Sequence, residues 1–211
     1  MAFVTGFSGA MMPGPMLALV IGQTSVQGLR AVLAIVLGHA LLELVTVALL
    51  MSGLRSLLLR AQVRGLIGLV GGAVLIYMGI DMVRQAATLT LNLPAHQSAV
   101  SWPGLVLAGA AVCALNPYFI GWWATVGVGG IAHVGSARAT DYLTFYLGHE
   151  LSDFVWYGAV GLVLVTGRAF LSDSVYQALV LVCGLIILLL AAWFVYTGAR
   201  FTLGKGRAAA G

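Results

Sequence analysis

The segment LGHALLEL, residues 37–44, returns as LGHELSDF at residues 147–154. Both copies read Leu-Gly-His-x-Leu-x-acid, 110 residues apart. Upstream, Pro13 and Pro117 each precede their copy by about one membrane span. Downstream, IYMG (76–79) is answered by VYTG (195–198). Three landmarks thus keep their order across two halves of the chain, as an internal repeat requires. Each half has room for three helices. An odd number of crossings turns the second copy upside down, the arrangement of many secondary transporters.

Composition says which solvent these helices meet. Of 211 residues, 61% are hydrophobic and only 8% charged, against about 25% charged in soluble domains. The mean hydropathy is +1.05. A helix needs about 20 apolar residues to cross a bilayer, so the chain fits six spans and no separate soluble domain. The expected spans are 3–24, 31–54, 65–83, 103–131, 141–167 and 175–199. One transporter domain is expected over 1–211. Repeat 1 covers about 3–84, a linker about 85–102, repeat 2 about 103–200, and a disordered tail 203–211. The net charge of +4 implies no nucleic-acid partner, because the ten Lys and Arg stand mostly at span ends. Seven of the ten fall on the side of both termini, which favours cytoplasmic termini by the positive-inside rule. Cys113 and Cys183 read as buried free thiols.

Proline inside a span needs an explanation. It lacks an N–H and clashes with the carbonyl four residues back. Pro13 and Pro15 should free the carbonyls of Gly9 and Met11, and Pro117 that of Cys113. Gly14 lies between two prolines, and Asn116 precedes the third. The first and fourth helices are therefore expected to break at Pro13-Gly14-Pro15 and Asn116-Pro117. Free backbone groups at membrane depth persist only inside protein or beside a wet cavity. The half-helix after each break offers N–H groups and a positive dipole end, suited to a carboxylate.

His39 and Glu43 are four apart, as are His149 and Asp153, so each pair shares a helix face. An acid at the bilayer centre costs about 2.5–3.5 kcal/mol even on the lenient insertion scale. Two such acids at matching depths point to a central cavity. There they could bind an ammonium group or, with histidines that titrate near neutrality, carry protons. A second reading makes His39, Glu43, His149 and Asp153 a two-nitrogen, two-oxygen site for a divalent transition metal. No His-Glu-x-x-His or Gly-x-Ser-x-Gly occurs, which argues against an enzyme. No cofactor is expected. Trp122, Trp123 and Trp156 fit either cavity walls or interface anchors. Gly68, Gly72 and GVGG (127–130) fit close helix packing.

MMPGPM (11–16), NPYFIGWW (116–123), the acid-bearing fifth span and the YMG closing the third resemble the lysine exporter (LysE) family, which includes homoserine/threonine efflux proteins. The resemblance covers roughly 5–200. It implies a six-span protein of the inner membrane that exports an amino acid or similar metabolite by proton antiport. Carried over by position, Pro13, Gly14, Pro15, Asn116, Pro117 and Asp153 match motif positions. Tyr118 stands where the family often has lysine, and the two histidines are additions. The partners expected are a small-molecule substrate and lipid, and the glycine faces allow a homodimer.

Overall fold

The structure is a computed structural model describing residues 1–54, 57, 60–88, 99–133, 139–167 and 172–208. Among these residues the chain is helical, without a strand. Two short helices, α1 (Ala2–Ala10) and α2 (Pro15–Gln27), meet at 79°. The bend falls on Pro13-Gly14-Pro15, with Pro15 opening α2. Gly28 alone joins α2 to α3 (Leu29–Leu49), with φ of +68°. Glycine adopts this left-handed value without a side-chain penalty. A π-helical turn, Leu50–Leu54, extends α3. α4 spans Ala61–Ala86.

The second half opens on α5 (Trp102–Ala114), capped by Ser101 Oγ, which accepts from the Gly104 N–H at 3.3 Å. α6 (Pro117–Trp122) follows the Asn116-Pro117 break. A π-helical turn (Trp123–Gly127) and α7 (Val128–His133) continue it. The bend between α5 and this second arm is 63°. α8 (Ala139–Thr166) and α9 (Asp173–Ala208) complete the chain. Asp141 and Asp173 stand in the first turns of these helices, where a carboxylate favours the dipole.

Among the described residues, three helices are long and apolar enough to cross a bilayer: Leu29–Ser52, Ala61–Ala86 and Asp173–Leu203. Counting each bent pair as one span makes five. α8 has 28 residues, about 42 Å at 1.5 Å per residue, but lies outside that apolar set. The reason is its polar face: His149, Glu150, Ser152 and Asp153 are all buried within the protein. Its other face exposes Leu143, Leu147, Leu151 and Val155. Polar inside and apolar outside is how a helix lies against lipid and a polar interior together.

Packing follows a crossed pattern. α1 lies on α8 and α5 on α3, while α4 pairs with α9. Glycines permit each approach. A Cβ on Gly38 would fall on the Val106 carbonyl oxygen, and one on Gly109 on the Ile35 carbonyl oxygen. Gly68 sits against Gly198, with a would-be Cβ 2.7 Å from its Cα, and Gly72 against Val195. A Cβ on Gly130 would meet the Phe145 ring, whereas one on Gly129 would find open space, so the 127–130 cluster is only partly a packing face. At the C-terminus, α9 continues helically to Ala208, although the tail from 203 reads as disordered in the sequence. Alanine, lysine and arginine all favour helix. Arg55, Arg138, Arg168 and most of the linker lie outside the described residues.

Gly38→Ala should destabilise the protein by about 1–3 kcal/mol, because a methyl cannot share space with the Val106 backbone. Thermal unfolding in detergent should show the loss, with Gly129→Ala unchanged beside it.

Candidate functional site

The four paired residues meet. His39 and Glu43 project from α3, and His149 and Asp153 from α8, all nearly inaccessible to solvent. His39 Nε2 lies 3.2 Å from Glu43 Oε1 and 3.7 Å from Asp153 Oδ1. His149 Nε2 lies 3.2 Å from Glu43 Oε1 and 3.0 Å from Oε2, the nearer oxygen being off the hydrogen-bonding line. It is also 3.7 Å from Asp153 Oδ2. Each histidine thus bridges both acids, one from its own helix and one from the other. The i, i+4 spacing explains the first contact. The α3–α8 packing supplies the second.

Indole and aromatic groups enclose the cluster. Trp123 Nε1 donates to Glu43 Oε1 at 2.8 Å. The Trp122 ring stacks on His149 at 4.7 Å, and Phe119 meets His39 edge-on at 5.7 Å. Even so, His39 Nδ1, His149 Nδ1 and Asp153 Oδ2 remain buried without a hydrogen-bond partner among the described residues. Buried polar atoms left open in this way are places for water, an ion or a ligand.

The cluster borders a cavity of about 50 Å³. That holds a few waters and is far below the roughly 300–1,000 Å³ of ligand pockets. The cavity is therefore closed to anything larger in this conformation. Pro13, Gly14 and Asn116 line it, whereas Pro15 and Pro117 are buried as first residues of their half-helices. The two breaks adjoin: a Cβ on Gly14 would lie 3.8 Å from Asn116 Nδ2.

The freed carbonyls behave differently from the expectation. Gly9 O accepts from Met12 N–H at 3.2 Å, and Cys113 O from Asn116 N–H at 3.0 Å. A tighter turn at each break re-satisfies these acceptors. Donors remain at the start of α2. The first bond that α2 makes back to its cap is Ala18 N–H to Gly14 O, which leaves the N–H groups of Met16 and Leu17 ahead of it. On α6, Asn116 Oδ1 takes the Tyr118 N–H at 3.0 Å.

Several lining residues were not evident as site residues in the sequence. Cys113, which looks like a plain buried thiol, lines the cavity with its sulfur 3.5 Å from Met16 Sδ. Tyr118, Phe119 and Tyr157 also line it. Of the three ambiguous tryptophans, Trp122 and Trp123 are cavity walls, and Trp156 packs instead beside the apolar core around Ile35. Only their placement next to a proline break hinted at a role.

Comparison with known proteins agrees with this geometry. The pattern of the LysE type translocator family matches residues 7–198. A chemotactic transduction protein, ChpE, of Pseudomonas aeruginosa is 28% identical over 157 residues, covering 74% of this chain and 76% of the relative. No solved structure matches significantly. A multi-pass helical chain that buries two histidine–acid pairs beside a small cavity, and matches the family pattern nearly end to end, belongs to the LysE family of membrane translocators.

Proposed function

We propose that this translocator exports an amino acid or a similar small zwitterion across the inner membrane, in exchange for protons. The observation that carries the reading is the convergence of His39 and Glu43 with His149 and Asp153 within 3.0–3.7 Å. In this reading the half-helix starts at Pro13-Gly14-Pro15 and Asn116-Pro117 hold the substrate carboxylate. Glu43 and Asp153 hold the ammonium group or the coupling protons, and the histidines relay charge between them. Substrate entry separates the histidine–acid contacts, so an ammonium replaces imidazole as the partner of each carboxylate.

The architecture proposed is six spans in two inverted three-helix repeats, with α8 as the fifth span. The crossed packing supports it. The first half-helix of each repeat (α1, α5) lies on the second helix of the other (α8, α3), and the two third helices pair with each other. A twofold axis in the membrane plane produces such a pattern. Alternating access then follows from rocking of one repeat against the other around the cluster.

A divalent metal ion is the second reading. His39, Glu43 and Asp153 each offer a ligand atom, all within 4.8 Å of one another.

Proteoliposomes carrying the protein should release a preloaded labelled amino acid faster than empty ones, and an inward proton gradient should accelerate release. Asp153→Asn should abolish the difference. Release equal to that of empty vesicles across a broad amino-acid panel would sink the amino-acid reading. Titration of purified protein with zinc and manganese separates the alternative. It requires saturable binding that disappears in a His39→Ala/His149→Ala variant, and we expect none.

A further inference from the structure

The half-helix α6 carries two aromatic side chains four residues apart, on one face, and both reach the last turn of α1. Tyr118 Oη donates to the Ser8 carbonyl oxygen at 2.9 Å. Trp122 Nε1 donates to Ser8 Oγ at 3.1 Å. The Ser8 hydroxyl spends its own proton on Thr5 O at 2.7 Å, so it meets the indole as an acceptor. Both aromatic side chains line the cavity, and Trp122 covers the His149 ring. No other hydrogen bond between α1 and α6 is present among the described residues. One serine therefore receives both fastenings.

Two further features free α6 to move once those bonds break. Its ends are joints. The Asn116-Pro117 break interrupts the helical ladder before it, and the π-helical turn Trp123–Gly127 follows it. Such turns disturb the regular ladder and often mark functional sites. Beside α6, a crevice of about 470 Å³ opens between its later turn and helices α4 and α9, while its first residue, Pro117, packs against Gly71 of α4 and serves as the pivot. Pro117, Gly121 and Trp122 face this space from α6, with Gly68 and Phe194 opposite. A Cβ on Gly121 would come no nearer to Phe194 than 3.9 Å.

We propose that α6 is a gate of the cavity, held shut by Tyr118 and Trp122 on Ser8, and that it opens by swinging from α1 into the crevice. The role in transport rests on the translocation reading above, whereas the latch itself is tested without any substrate. Opening exchanges two hydrogen bonds for water contacts and uncovers His149, Asp153 and Cys113 together. Ser8, Tyr118 and Trp122 thereby act as positioning residues, since none of them needs to touch the substrate.

Cys113 is the natural reporter, because it lines the cavity and is 3% exposed. In a Cys183→Ser background, the labelling rate of Cys113 by a water-soluble methanethiosulfonate is measured on detergent-purified protein. Tyr118→Phe and Ser8→Ala each remove one of the two α6–α1 bonds, worth about 1 kcal/mol net, the bond of Ser8 to Thr5 O lying within α1. Each should raise the rate about fivefold, and the double variant should raise it further. Tyr196→Phe, on the lipid-exposed side of α9, serves as the control and should change nothing. The companion background, Cys113→Ser, reports on Cys183, which is buried away from the cavity. Its labelling should stay constant. An unchanged Cys113 rate overturns the gate, and so does a Cys183 rate that rises in step, since that means general loosening. If Cys113 labelling rises alone while no amino acid is released from proteoliposomes, the gate stands and the substrate assignment falls.

Discussion

Four ionisable side chains buried between two helices have mainly one another for partners, and the fold is arranged to keep them in contact. A lone charge at membrane depth costs about 2.5–3.5 kcal/mol or more. Here each acid faces two histidines, and each histidine faces two acids. The arrangement works only if α3 and α8 hold a fixed register. Half of the contacts lie within a helix and survive any rearrangement. The other half join the helices and vanish if one slides by a turn. Gly38 and Gly109, which bring the α3 and α5 backbones together, therefore matter to the site though neither touches it. Gly6 does the same for α1 on α8, beside His149 and Ser152.

The broken helices serve the cluster from the other side. An unbroken helix through residues 2–27 would present a wall of satisfied backbone to the cavity. The bend at Pro13-Gly14-Pro15 instead brings Met12, Pro13 and Gly14 to its edge, and the second bend brings Asn116. Two acceptors left by the prolines, Gly9 O and Cys113 O, are reclaimed in tight turns, while donors at the start of α2 are left over. A site that gathers donors from backbone and acceptors from Glu43 and Asp153 matches a molecule with one group of each sign. That is why the proposed substrate is a zwitterion rather than a simple cation.

How much of this was legible in the sequence follows from the range of each interaction. Proline breaks and i, i+4 pairs are local, so Pro13, Pro117, His39–Glu43 and His149–Asp153 could be read directly. Burial of the acids followed from the cost of exposing them to lipid. The single-residue link at Gly28 was hidden because glycine is common throughout the chain. The Trp123–Glu43 bond, the Tyr118–Ser8 bond and the approach of Cys113 to Met16 span 80 to 110 residues. No periodicity announces them, and an indole near a proline break reads equally well as an interface anchor. The helical course of α9 to Ala208 was missed for another reason. Apolar pattern marks where a helix meets lipid, whereas good helix formers continue the helix beyond that point.

The two halves also differ in a way that a symmetric account would overlook. Both carry a broken helix, but the first bends by 79° around Pro-Gly-Pro and the second by 63° around Asn-Pro. The first break is followed by a 13-residue helix packed on α3 and α8. The second is followed by a six-residue helix with a π-helical turn at its end and a crevice beside it. A long, packed arm resists bending, because moving it disrupts the core around Met16 and Val20. The shorter arm has a break at one end and a π-helical turn at the other, and its packing rests on Tyr118, Phe119 and Trp122. If the repeats alternate about the cluster, the two faces of the membrane are then not served by equivalent motions: one half supplies the frame and the other the moving part.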